Sequence, residues 1–283
     1  MTVAPLARTN VQLLNQLIDS GMPEPELLQV RRACDLAGDL YSSHFHADGK
    51  PFVCHSMAVA SMAARLGLRP NVIVAAVVHN VYCNADFGDG LRDSVTPSRR
   101  ARLRERLGTD VEAIVLRFRD RRLRTMLRPI DAAQISTLDI GDMSALDREL
   151  VLLDLADHFE KFVDGSLAYY GDCSWILEFD EPRLAQLADL AATLGQAEFG
   201  AQFVAAARQQ RVWMERVPVS LRTAGAQRHV QMRMPGNCER KAALRRAEWC
   251  RRQRDRWVGT TRWLRHRVRL RTRLRQWLAS ARG

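Results

Sequence analysis

Val72-Ile73-Val74-Ala75-Ala76-Val77-Val78-His79-Asn80-Val81-Tyr82 opens with seven residues that are apolar on whichever helical face they fall. The run is well short of the roughly 20 apolar residues that span a bilayer. A helix that is hydrophobic all round belongs in the middle of a packed bundle. The same stretch then runs into His79 and Asn80, and burying such polar groups costs free energy unless they are hydrogen-bonded or coordinate something. It therefore identifies both a core helix and a candidate site.

Working outward, the surroundings read as helices punctuated by proline and glycine. Pro70 starts the central helix, which is expected to run to about Tyr82, and Gly67 closes the one before it, Phe52 to Leu66. Asp48-Gly49-Lys50-Pro51 forms a turn, with Pro51 as first residue of that helix. Upstream, Asn10 caps a helix with Leu13, Leu14, Leu17 and Ile18 at helical spacing. A second helix, about Pro25 to Ser43, turns Leu28, Ala33, Leu36, Ala37 and Leu40 inward. Downstream, helices are expected at Pro97–Leu107, Asp110–Phe118, Ser144–Val163, about Glu181–Leu194 and Ala197–Met214, with 121–143 irregular. Alternating β-branched strands bounded by tight hairpin turns do not occur, so the fold class is all-α.

Two further helices carry the same kind of polar intrusion. His55 sits in the first turn after Pro51, and Leu150-Val151-Leu152-Leu153-Asp154-Leu155-Ala156-Asp157-His158-Phe159 places Asp154 and Asp157 on one face. Each of these alone is more often a satisfied core residue. Imidazoles and a carboxylate brought together from three helices, however, are what a divalent transition-metal site uses to activate water.

The runs Gly49–Ala60, Leu66–Leu68, Ala75–Tyr82 and Leu155–Phe159 resemble, in order and spacing, the HD hydrolase domain of bacterial (p)ppGpp hydrolase/synthetase proteins. The likeness covers about residues 27–165 and is nearest to uncharacterised bacterial HD-like proteins that lack the Asp of the His-Asp pair. It implies an HD-type helical bundle in which His55, His79 and Asp157 match three of four family metal ligands, for Mn²⁺ or a similar ion. The fourth ligand is Asn80 here, a neutral amide that weakens metal affinity. The family's Glu-Asp pair for the attacking water aligns with Cys83-Asn84, its nucleotide-contacting Arg falls near His46, and its Asn after the last Asp is Lys161. Candidate substitutes for the missing groups are His44, His46, Asn80, Asp86, Asp154, His158 and Glu160. The resemblance thus implies a degenerate or altered-activity relative of metal-dependent phosphohydrolases, acting as a ligand-binding or adaptor module. The alternative is an active phosphohydrolase on a nucleotide or other phosphate ester.

Charge is distributed unevenly. Residues 231–283 hold 17 Lys and Arg against Glu239, Glu248 and Asp255, a net +14, so the remainder carries −3 of the total +11. The expected organisation is an N-terminal helix (1–24), an HD-like helical domain (25–216), a linker (217–237) and a basic Arg/Trp-rich, helical tail (238–283). At helical spacing Trp263, Leu270, Leu274, Trp277 and Ala281 share a face, with Arg265, Arg267 and Arg271 among the cations. This suits an amphipathic helix on an anionic membrane surface. Arginine at every second position from 265 to 275 equally suits a strand. Packing of the stripe back on the bundle, or binding of nucleic acid through charge alone, are the other readings. Six cysteines without a close C-x-x-C pair, and an N-terminus without a signal-peptide pattern, give the expectation of reduced thiols in a cytoplasmic protein, peripheral on the inner face of the membrane.

Overall fold

The computed structural model describes residues 5–42, 44–46, 48–91, 93–120, 140–170, 179–222 and 246–258. Its helices are α1 (Asn10–Asp19), α2 (Glu24–Tyr41), α3 (Phe52–Arg65), α4 (Pro70–Val77), α5 (Val81–Asn84), α6 (Pro97–Leu107), α7 (Thr109–Asp120), α8 (Ala145–Phe162), α9 (Leu167–Tyr170), α10 (Glu181–Thr193) and α11 (Ala197–Arg216). No β-strand occurs among the described residues; one isolated bridge joins Phe45 and Pro51. The all-α expectation therefore holds. The described residues fall into two units, one within 1–85 and 92–235, the other within 86–91 and 236–283.

In the first unit α4 is the centre. It packs on α2, α3, α7 and α8, and Val72 through Val77 are all buried, which is why no face of it is polar. α1 packs against both α2 and α3 through Leu13 and Leu17. Thr9, rather than Asn10, caps it in a capping box with Gln12. Gly21, at φ +77°, lets the chain turn so that the Met22 amide donates back to the Leu17 carbonyl. Ile18 is 56% exposed and Leu28 is 52% exposed, so the buried stripes of α1 and α2 are narrower than the apolar periodicity predicts. Leu14 lies at the stripe's edge, half-buried. α10 and α11 form an antiparallel-length pair that reaches the body through α8; at Gly200 a side chain would meet the Ala188 carbonyl at 2.9 Å, so only glycine permits that approach.

The central helix does not continue to Tyr82. It ends at Val77, and residues 78–80 are turns before α5. The Val78 and Val81 amides bond three residues back, to Ala75 and Val78, and the Ala76 carbonyl takes the His79 ring nitrogen at 2.6 Å. The His79 backbone amide reaches the same carbonyl at 3.5 Å, so side chain and main chain of one residue share an acceptor where the polar residues begin.

The second unit includes the helical stretch 246–258, in which Trp257 and Val258 are exposed. Trp263, Arg265, Arg267, Arg271 and Trp277 lie outside the described residues, as does most of 121–143. No helix among the described residues is long and apolar enough to cross a membrane.

If α1 is an integral part of the bundle, Leu17→Ala should lower stability by about 2–5 kcal/mol, whereas its exposed neighbour changed Ile18→Ala should stay within about 0.5 kcal/mol. Urea unfolding followed by far-UV circular dichroism separates the two; equal midpoints would contradict the packing.

Candidate metal centre

Three elements converge below the C-terminal end of α4. α3 brings His55, the turn after α4 brings His79 and Asn80, and α8 brings Asp154, Asp157 and His158. His55 is fully buried, His79 is 1% and Asp157 4% exposed. His55 Nε2 lies 3.1 Å, and His79 Nε2 3.5 Å, from Asp157 Oδ1. Ligand atoms of all three lie within 4.8 Å of one another.

The far side of each ring is tied down. His55 Nδ1 is 2.6 Å from Glu160 Oε2, and His79 Nδ1 is 2.6 Å from the Ala76 carbonyl. A carbonyl only accepts, so His79 Nδ1 carries the proton and Nε2 keeps its lone pair when the ring is neutral. The Asn80 amide nitrogen sits 2.7 Å from that Nε2, donating to it. A carboxylate there would instead be a further anionic ligand.

Charge balance is close-knit. Lys161 Nζ lies 3.1 Å from Asp157 Oδ2. Burial pushes the Asp157 carboxyl up, but Lys161 and the two histidines overcome this and hold it well below the ordinary range. Burial lowers the His55 pKa, yet Glu160 and Asp157 raise it to a net increase. His46 stacks on His55 at 4.8 Å and lies 3.0 Å from Asp48; burial outweighs that partner and depresses its pKa. His158 donates to the Asp154 carbonyl at 2.7 Å, and Asp154, Asp157 and His158 form a second group of close ligand atoms.

Of the residues expected at the site, His46, His55, His79, Asn80, Asp154, Asp157 and His158 thus come together. Asp86 belongs to the second unit and accepts the Gly88 amide at 2.8 Å, closing its own turn. Glu160 proves central, fully buried and bonded to Lys50 Nζ at 2.8 Å as well as to Arg8. Lys50 also meets Asp48 at 2.9 Å and Asp164 at 3.2 Å. Arg8, Asp48, Lys50 and Asp164 escaped sequence reasoning. The sole hint was that Lys50 and Asp48 share the turn before His55.

The residues suit a divalent cation. His55 Nε2 and Asp157 Oδ1 are buried atoms that form an ion pair at 3.1 Å but no hydrogen bond, an arrangement that a cation between them would satisfy. Two imidazoles and a carboxylate are a donor set for transition metals.

A helical bundle with a His-His-Asp cluster at its centre is the arrangement of an HD-type domain, and residues 33–161 match the HD domain family. The segment running from Ala33 in α2 to Lys161 in α8 matches an HD-type domain, and such domains typically bind divalent metals. Among curated proteins, the chain is 34% identical over 68 residues to the bifunctional (p)ppGpp synthase/hydrolase SpoT of Escherichia coli, covering 24% of this chain and 10% of that protein. It is 33% identical over 58 residues to the bifunctional (p)ppGpp synthase/hydrolase RelA of Mycobacterium tuberculosis, covering 20% and 8%. It is also 34% identical over 58 residues to a probable GTP pyrophosphokinase of Mycobacterium leprae, covering 20% and 7%. The chain thus spans a tenth or less of the length of these relatives.

Replacing Asn80→Asp exchanges the amide at His79 Nε2 for a carboxylate. A unit charge at about 4 Å in an effective dielectric near 20 is worth about 4 kcal/mol before desolvation, so Mn²⁺ affinity measured by calorimetry should tighten by at least about tenfold. Unchanged titration would show that Asn80 does not face the bound ion.

Proposed function

We propose that this chain is a metal-binding HD-type protein in which His55, His79 and Asp157 hold a divalent transition ion such as Mn²⁺, with phosphohydrolase chemistry depleted or altered relative to the (p)ppGpp hydrolases it resembles. The observation that carries this reading is the convergence of His55 Nε2, His79 Nε2 and Asp157 Oδ1 in a buried cluster, with His55 Nε2 facing Asp157 Oδ1 at 3.1 Å without a hydrogen bond. A bound ion of this kind supplies a Lewis acid that polarises phosphate oxygens and acidifies bound water.

The residues around it argue for weakened chemistry. Asn80 presents an amide where the resemblance implies a carboxylate, so the site holds one negative charge fewer. Cys83 and Asn84 offer no carboxylate base for water. Lys161 partly neutralises Asp157, in competition with a cation. His46, held by Asp48 beside His55, and His158, held by Asp154, are the remaining groups able to carry a proton. The ligand expected is a phosphate-containing small molecule.

Metal analysis of the purified chain and of His79→Ala, with a hydrolysis screen of (p)ppGpp and other nucleotides, tests this. The expected result is bound transition metal in the parent, its loss in the variant, and turnover that is slight or absent. No metal in either protein would end the metal assignment. Brisk hydrolysis dependent on His55 would favour the active phosphohydrolase instead.

The second unit supports a membrane-surface role for residues 238–283. Exposed Trp257 and Val258 accompany Arg251, Arg252, Arg254 and Arg256 on the helical stretch 246–258, a pairing suited to an anionic lipid surface. Flotation with phosphatidylserine-containing vesicles should retain the full chain but not a chain ended at Gly236, and vesicles of phosphatidylcholine alone should retain neither. Binding to RNA with steep salt dependence, without vesicle binding, would decide for nucleic acid.

A further inference from the structure

His55 is gripped from both sides by one helix. Asp157 and Glu160 are three residues apart on α8 and so share a face, with the Asp157 carboxylate at Nε2 and the Glu160 carboxylate at Nδ1 of the same ring, 3.1 and 2.6 Å away. Glu160 is fully buried. Lys50 Nζ at 2.8 Å and the Arg8 guanidinium also hydrogen-bond to it, the cationic partners that a buried carboxylate requires. An ionised carboxylate can only accept. The proton of the His55–Glu160 contact therefore resides on Nδ1, and Nε2 is the atom left to face Asp157 and His79.

We infer that Glu160 is the positioning residue of the metal centre: it fixes the tautomer and ring orientation of His55 so that Nε2 is available as a ligand, while Arg8 and Lys50 keep its carboxylate charged and in place. This inference rests on the metal-binding reading above and adds to it a residue that touches no metal itself. With an ion bound at Nε2 the Glu160–His55 pair would complete a carboxylate–histidine–metal relay, in which the outer carboxylate makes the imidazole a better donor. His79 has only a neutral carbonyl, that of Ala76, at the same position. The two histidines are thus unequal, His55 being the stronger donor, and the relay compensates for the amide at Asn80. Arg8 precedes α1 and Lys50 precedes α3, so two segments distant in sequence meet at one carboxylate.

The test compares Mn²⁺ titrations of the full chain with thermal unfolding of the metal-free protein for Glu160→Gln, Glu160→Leu and the destabilising control Leu17→Ala. Loss of an outer-shell partner typically weakens metal binding about 10–100-fold, which is the expectation for Glu160→Leu. Glu160→Gln keeps an oxygen that can accept from Nδ1 but loses the charge, so it should weaken binding less, by about threefold to tenfold, and serves alone if Glu160→Leu does not fold. Leu17→Ala should lower the unfolding temperature while the folded protein titrates as the parent does. If the Glu160 variants unfold earlier yet bind Mn²⁺ like the parent, the residue is structural and the inference is wrong. If the parent itself takes up no Mn²⁺, the metal reading fails and this inference fails with it.

Discussion

Six apolar residues of α4, Val72 to Val77, can be central only if the polar groups that follow them are also accommodated away from water. The governing constraint is the cost of burying charge. An isolated ion in the interior is prohibitively expensive, and a buried pair is tolerable only when its remaining donors and acceptors are satisfied. Here the burden is met by a chain of contacts. Arg8 and Lys50 meet Glu160, Glu160 meets His55, His55 meets Asp157, and Asp157 meets Lys161. All but the last link join α8 to another segment, and His79 meets Asp157 as well, so the ionic network also ties α3, α8, the turn after α4, the turn before α3 and the segment before α1 to one another. The backbone break at Val78–Asn80 belongs to the same economy of polar groups: the Ala76 carbonyl takes both the ring nitrogen and the backbone amide of His79.

Much of the fold was legible because proline, glycine and small polar residues punctuate it. Pro70, Pro97 and Pro182 lie in the first turns of α4, α6 and α10, and Gly67 and Gly108 follow the helices they end. Periodicity failed where it could not judge width. Ile18 and Leu28 fit the apolar spacing but lie on the flank of the buried stripe, in solvent. It also failed at Val78, because an apolar residue inside a turn reads the same as one inside a helix.

The inner site was legible for a different reason. His55, His79 and Asp157 are polar residues set in apolar helices, a local anomaly visible in any window. What supports them was not. Glu160 meets His55, Lys50 and Arg8 across 105, 110 and 152 residues of chain, and each of these side chains viewed in its own segment is an ordinary charge. Lys50 sits in a turn and Arg8 before a helix, places where solvent-exposed cations are common. Only the fold reveals that they close on a buried carboxylate.

The departures from the family pattern acquire a common sense in this light. An aspartate at position 80 would bring a further carboxylate to the histidines, and with Asp157 and Glu160 already buried it would raise the cost of the site in the absence of an ion. Asn80 removes that charge, and Lys161 provides a cation 3.1 Å from Asp157. Both changes act in one direction: they stabilise the ion-free pocket at the expense of metal affinity. Glu160 acts in the other, strengthening His55 as a donor. On the proposed reading, a site tuned by opposing substitutions of this kind would hold its ion conditionally rather than permanently.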